Sequence, residues 1–519
     1  LKILNAIEKK PFKSTSFMKS LPKTLGALRA SGYTSKTVKE EMRSNLIQAL
    51  QKGMNPFPGI QGYEDTVIPQ LQTAILAQHN LLFLGLRGQA KTRMARLMVN
   101  LLDEHIPYIA GTELNDDPLQ PISKQGRDLI DEYGDKTPIA WLHRQERYTE
   151  KLATPDVSVS DLIGDIDPIK AATLKLSYAD ERVIHYGLIP RAHRGIFVIN
   201  ELPDLQARIQ VSLFNMLQEG DIQIRGFKVR LPLDVAFVFT ANPEDYTNRG
   251  SIITPLKDRI ESQILTHYPK NVQLSKAITE QETRWAKGQA EKVQVDELIK
   301  LLIEEIAFQA RKSEYIDQKS GVSARMTISA MESLISHCER RALLSGETTT
   351  QARISDVYAV LPAITGKVEL VYEGEVEGIA NVAYYLVGKA IRSEFDQLFP
   401  SPEKLKKEKK KNVYDAIIQW FNAGNSIDLL QDMSQSTYQQ TLLQVPGLKT
   451  LVEQHVPTHS DAQQLLMMEF ILFGLSEHSQ LSKQTLDRQI QFKDLLGSMF
   501  TMGGEEDDDT EEGYGFHNN

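Results

Sequence analysis

The stretch that most constrains this chain is residues 80–102, where the apolar run NLLFL passes through GLRGQAKT into apolar residues at helical spacing, RMARLMVNLL. A short continuous apolar run reads as a strand buried on both faces, and strands of that kind belong to parallel sheets covered by helices. The loop between strand and helix fits the phosphate-wrapping pattern G-x4-G-K-[ST] at Gly85, Lys91 and Thr92, with Ala90 where the second glycine is usual. In such a loop, backbone N–H groups surround an anion, the lysine reaches terminal phosphates and the hydroxyl holds magnesium. Leu86, Arg87, Gly88, Gln89 and Ala90 are then the wrapping residues. Ala90 adds a methyl where the backbone passes close to the anion. Gly88 supplies part of the missing freedom, and alanine fits if its position has helical dihedral angles. A glycine-bearing turn before an ordinary helix shares this pattern, so the downstream residues have to decide.

Two more apolar runs follow, GIFVIN at 195–200 and DVAFVFT at 234–240, with the helix-like LQARIQVSLFNMLQEG between them. This alternation is that of a doubly wound α/β sheet. The first run ends in Asn200 and Glu201, where phosphate-loop ATPases place a magnesium ligand and a carboxylate that polarises water. Aspartate is usual at the first position. Asn200 keeps an oxygen but lacks the charge, which implies weaker magnesium binding. The second run ends in TANPEDY, which puts Asn242 at the carboxyl end of a strand, where open α/β sheets collect ligand-contacting groups. An amide there can orient a γ-phosphate and a water, although Asn-Pro also starts turns.

Around this core the sequence divides by composition. Residues 1–52 read as a helical N-terminal extension, 53–268 as the α/β nucleotide-binding domain, and 112–150, polar and aperiodic, as an insertion on it. Beyond about 268 strand signals stop. Amphipathic helices predict a helical lid domain over 269–400, a lysine-rich linker over 401–412, a C-terminal helical region over 413–500 and a disordered acidic tail over 501–519. The formal net charge of −9 argues against nucleic acid as the default partner. One cysteine, Cys338, excludes an internal disulfide framework, and the eleven histidines lack metal-ligand spacing. No apolar run is long enough to cross a bilayer, and the start lacks a secretory signal, so a cytoplasmic protein is expected.

Taken together, these segments resemble the AAA+ ATPases, within them the group of the magnesium chelatase ATPase subunit and the MoxR proteins. IQGYEDTVIPQL at 60–71 is similar to the family's segment before the first strand, which implies that Ile60 and Gly62 lie against adenine. HRGIFVINELPDL at 193–205 and TANPE at 240–244 are similar to the strands carrying the hydrolytic acid and sensor 1. ITPLKDRIE at 253–261 resembles the arginine-finger stretch, with Ile260 where phenylalanine is usual, and makes Arg259 the finger. Arg325, in GVSARMTIS, looks like sensor 2. DLIGDIDPIKA at 161–171 resembles the helix-2 insert of this group, and LQEGDIQIRGFKVRLP its downstream hairpin, for which a buried hairpin turning at Arg225 and Gly226 is the alternative.

The resemblance covers about 55–390. It implies ATP and Mg2+ as cofactors, with Thr92 and Asn200 on the metal and Glu201, Asn242, Arg259 and Arg325 in catalysis. It further implies a homo-oligomeric ring, usually a hexamer, remodelling a client with a partner that carries a von Willebrand A-type domain. Two rivals stay open: a nucleotide-binding switch that hydrolyses poorly, favoured by Ala90 and Asn200, and a DNA-associated AAA+ protein, disfavoured by net charge and the lack of a helix-turn-helix.

Overall fold

A computed structural model describes residues 21–177, 180–224, 230–243, 251–457, 460–486 and 489–495. The chain forms two compact units, Leu1–His267 and Tyr268–Asn519.

The first unit is built on a five-stranded, all-parallel sheet. Its strands in chain order are β1 (Leu81–Leu84), β2 (Tyr148–Leu152), β3 (Gly195–Asn200), β4 (Val235–Ala241) and β5 (Ser262–Leu265), arranged β5-β1-β4-β3-β2. Every residue of β3 and β4 is buried, which is why both read as unbroken apolar runs. The order reverses at β1, between β5 and β4, and puts the loop after β1 at the switch point where such sheets bind ligands.

On one face lie three helices: α1 (Val38–Gln51), α2 (Val67–Leu76) and α3 (Lys91–Leu97), whose apolar residues pack with Phe83, Val198 and Val238. Helix α1 starts at a capping box in which Thr37 and Glu40 satisfy each other's backbone N–H groups. It does not stand apart as an N-terminal extension. Val38, Met42 and Leu46 are core residues of the α/β unit, and Glu41 forms a buried ion pair with Arg147 at 2.6 Å.

The stretch 112–150 is not simply an insertion either. Its last residues begin β2, the sheet's edge strand, whose side chains are mostly half-buried. That exposure lets the strand be written YTEKL, without the apolar signal of its neighbours. Before it, His105–Ile109 and Ile139–His143 form an antiparallel pair. Gly164–Ile166 and Ile184–Tyr186 form a second, with the helix Pro168–Leu174 between them in the chain, and Asp221–Gln223 pairs with Arg230–Pro232 in a third. The turn expected at Arg225 and Gly226 lies outside the described residues, as do 1–20 and the acidic tail.

The second unit is mainly helical, but strand signals do not stop at 268. Val293–Gln294 pairs with Thr350–Gln351, and Ile427–Leu430, Gln489–Lys493 and Ser482–Leu486 form a small antiparallel sheet. In QIQFK only Ile490 and Phe492 are buried, so a half-polar strand escaped a search for apolar runs. The regions 269–400 and 413–500 are not separate bodies, because one apolar core runs from Val293 to Phe492. Tyr414 donates a hydrogen bond to the Pro400 carbonyl at 2.7 Å, and the middle of Asp461–Glu477, apolar except for Glu469, is buried on every side. Among the described residues, no helix is long and apolar enough to cross a membrane.

Candidate functional site

The carboxyl ends of β1, β3 and β4 bring together most of the residues singled out in the sequence. Leu84 leads into the loop, and α3 begins at Lys91. Gly85 has no room for a side chain, since a Cβ there would collide with Thr266 Oγ1 and Gln89 Oε1. Thr266 Oγ1 donates to Gln89 Oε1 at 2.6 Å, and Tyr63 Oη donates to the Gln89 carbonyl at 3.0 Å. The loop is therefore held from outside by the ends of two flanking segments. Gly88 has φ 75° and Ala90 has φ 58°, ψ 17°. The condition under which alanine would be tolerated is thus not met, because position 90 is left-handed and not right-handed helical. A β-carbon there costs roughly 1–2 kcal/mol, and glycine gives back about 0.4–1 kcal/mol through its freer unfolded state. Ala90→Gly is therefore expected to stabilise the chain by about 0.5–1 kcal/mol, read as a higher melting temperature.

Lys91 is buried, and its ammonium donates to the carbonyls of Gly85 and Leu86 and, at 2.5 Å, to Asn242 Oδ1. The other end of the same amide, Asn242 Nδ2, donates to Glu201 Oε2 at 3.0 Å. One buried amide thus joins the loop lysine to the carboxylate. Glu201 itself is left-handed, at φ 55° and ψ 51°, and its N–H donates to Thr240 Oγ1 at 3.2 Å. Strained dihedral angles at a carboxylate that ends a buried strand fit a position fixed by its surroundings for chemistry.

Thr92 Oγ1 and Thr240 Oγ1 both donate to Asn200 Oδ1, at 3.2 and 3.1 Å. The neighbouring strand adds Glu150, which accepts two hydrogen bonds from Arg96 at 2.8 and 2.9 Å and one from Tyr148 Oη at 2.8 Å. The Arg96 guanidinium, with help from Tyr148 and the Asn200 side chain, holds the Glu150 carboxyl below the usual carboxylate range. Tyr148 is pushed above the usual phenol range by burial and by Glu150.

Thr92, Asn200 and Glu201 offer a hydroxyl, an amide oxygen and a carboxylate in one place. Such an all-oxygen set suits Mg2+, which takes one or two protein oxygens and keeps water and phosphate for the rest. Among the described residues no cluster of three or more His, Cys, Asp or Glu could hold a metal by itself.

Ile60 is buried, and Gly62 has φ 80°. They precede Tyr63, which stacks edge-on to His267 at 5.0 Å and ties this segment to Gln89 of the loop. Arg259 is not drawn into the cluster. Its guanidinium lies 4.7 Å from the Phe214 ring and donates to Gln218 Oε1 at 3.1 Å and the Pro255 carbonyl at 2.7 Å. Arg325 opens the helix Arg325–Ser345 of the second unit, where its side chain is exposed. Sequence reasoning missed Tyr63, Thr240, Thr266, His267 and Glu150. Thr240 could have been found as the residue two before Asn242 on the same strand, while Glu150 carries no local signal.

The sequence matches the family described as Sigma-54 interaction domain over residues 173–264, which include Glu201, Asn242 and Arg259 but not the loop. Over 222 residues, 42% of this chain, it is 27% identical to 57% of the magnesium-chelatase 38 kDa subunit of Rhodobacter capsulatus. The corresponding subunit of Cereibacter sphaeroides is 26% identical over 227 residues, 42% of this chain and 60% of that one. The chain thus spans less than two thirds of the length of these curated relatives. A chain from the complex between subunits BchI and BchD of magnesium chelatase, based on a single-particle cryo-EM reconstruction, aligns with 62% of this chain and 98% of its own, at 20% identity and a TM-score of 0.33.

Proposed function

We propose that this chain, which carries an AAA+ ATPase module resembling the magnesium chelatase ATPase subunit, binds and hydrolyses ATP and uses the cycle to remodel a partner protein. The observation that carries this reading is the pair of contacts made by Asn242, which links Lys91 at the phosphate loop to Glu201 at the end of β3. A γ-phosphate seated at Lys91 would be sensed by the same amide that holds the carboxylate.

In this reading the loop from Gly85 to Thr92 wraps the phosphates, and Lys91 exchanges backbone carbonyls for phosphate oxygens. Ile60 and Gly62 border the base. Thr92 and Asn200 hold the magnesium ion, which supplies charge neutralisation to the phosphates when bound. Glu201 accepts a proton from the attacking water, and Asn242 aligns both. Arg259 acts on a neighbouring protomer's nucleotide, and Arg325 takes the sensor 2 role. A hexameric ring, a partner with a von Willebrand A-type domain, MoxR-like chaperone work and a cytoplasmic location complete the proposal. A switch that hydrolyses poorly is the second reading, favoured by the strained Ala90 and the uncharged Asn200.

Complementation tests the ring. Arg259→Ala and Glu201→Gln proteins are each expected to lose turnover, Arg259→Ala by about 10³-fold. Mixed, they should recover part of it, because an intact Glu201 site can then receive an arginine from its neighbour. Mixtures no more active than either variant alone would contradict a finger acting between protomers.

A further inference from the structure

We propose that Glu150 is a positioning residue for magnesium, fixing which end of the Asn200 amide faces Thr92, so that the acid absent from position 200 acts from the adjacent strand. The inference rests on the nucleotide reading of the loop.

A carboxamide has an oxygen end and an NH2 end of nearly equal size, and only the oxygen can face a cation. Thr92 and Thr240 do not settle the choice, since a hydroxyl can donate or accept. An ionised carboxylate can only accept, so it selects the NH2 end. Glu150 is placed to do this. Its Cα lies opposite Val198 in the β2–β3 ladder, and Val198 and Asn200, two apart on β3, point to the same sheet face.

The carboxylate is also anchored. Arg96 forks onto both of its oxygens and Tyr148 Oη donates to one of them. Arg96 belongs to α3, the helix that carries Lys91 and Thr92, so the same helix is hydrogen-bonded to Glu150 on β2 through Arg96 and to Asn200 on β3 through Thr92. This arrangement explains why an amide occupies position 200. Asn200→Asp would bring two carboxylates together beside a single arginine, and like charges that close disfavour ionisation of both. Asn200→Asp combined with Glu150→Gln keeps one acid and one amide with their places exchanged.

The test uses the full chain and a fluorescent ADP analogue, titrated in EDTA and across a magnesium series, with melting of each metal-free protein alongside. Glu150→Gln is expected to bind the analogue in EDTA as the parent does, while the magnesium needed for half-maximal tightening rises about tenfold. Asn200→Asp alone should melt lower without metal. The double variant should melt near the parent and return the magnesium requirement to the parent's value or below. An unchanged magnesium requirement in Glu150→Gln, or a double variant no better than the worse single one, would overturn the proposal. A parent chain that binds no nucleotide in EDTA or in magnesium would overturn the nucleotide reading, and this inference with it.

Discussion

Glu41→Ala is expected to cost the first unit about 3–5 kcal/mol, which is the usual penalty for leaving one member of a buried ion pair without its partner. The side chains of Arg147 and Glu41 are 1% and 5% exposed. Both guanidinium NH groups donate to the carboxylate, at 2.7 and 2.6 Å, and Arg147 Nε donates to the Arg194 carbonyl at 2.8 Å. Glu41 also accepts from the Asp103 N–H at 2.5 Å. Truncating it strands a charge between α1 and the segment leading into β2, and water cannot reach that charge without opening the core. With typical domains stable by about 5–15 kcal/mol, the loss is a large fraction of the total. Chemical denaturation of the variant should show a much lower midpoint with an unchanged slope. Glu41→Gln, which keeps hydrogen-bonding capacity, should lose less. A variant as stable as the parent would mean that α1 is not integral to the α/β unit.

That prediction concerns a helix which sequence reasoning set aside as an extension, and the reason is physical. Helix α1 is amphipathic with lysine and glutamate on its outer face, and its buried face is completed by a charged residue whose partner lies more than a hundred positions away. No local pattern reveals such a pairing. By contrast, β1, β3 and β4 were legible because strands buried on both faces have to be apolar throughout. The edge strand β2 was not, since solvent on one side lets Thr149, Glu150 and Lys151 stand where the sheet tolerates them. The same rule governs the site. Lys91, Thr92, Asn200, Glu201 and Asn242 were legible because each stands at a strand end or loop position that chemistry constrains. Glu150, Thr240 and Tyr63 entered only through contacts made in three dimensions. Ala90 was legible as a departure, but its left-handed geometry was not, because backbone dihedrals at a loop's last residue depend on how the strand and helix are joined.

The largest functional effect is expected at Glu201. Glu201→Gln preserves size, hydrogen bonding to Asn242 and the fixed backbone at β3, so nucleotide should still bind. It removes the carboxylate that Asn242 holds and that takes the proton from water in this reading, a contribution of about 10²–10⁴ in rate for a general base. Because Asn242 Nδ2 donates to Oε2, the substituted amide can still present its oxygen to Asn242 and direct its NH2 end elsewhere. The loss should therefore fall on turnover and leave affinity nearly untouched. Lysine and carboxylate are tied to one amide, and the proposed function requires that arrangement to be a hydrolytic site. The deciding measurement is steady-state phosphate release from MgATP by the full chain and by Glu201→Gln, with nucleotide affinity determined on the same samples. A hydrolytic site should give measurable release by the parent, a fall of about 10²–10⁴ in the variant and matching affinities. Equal release by both proteins, or no release by a parent that binds MgATP, would contradict it.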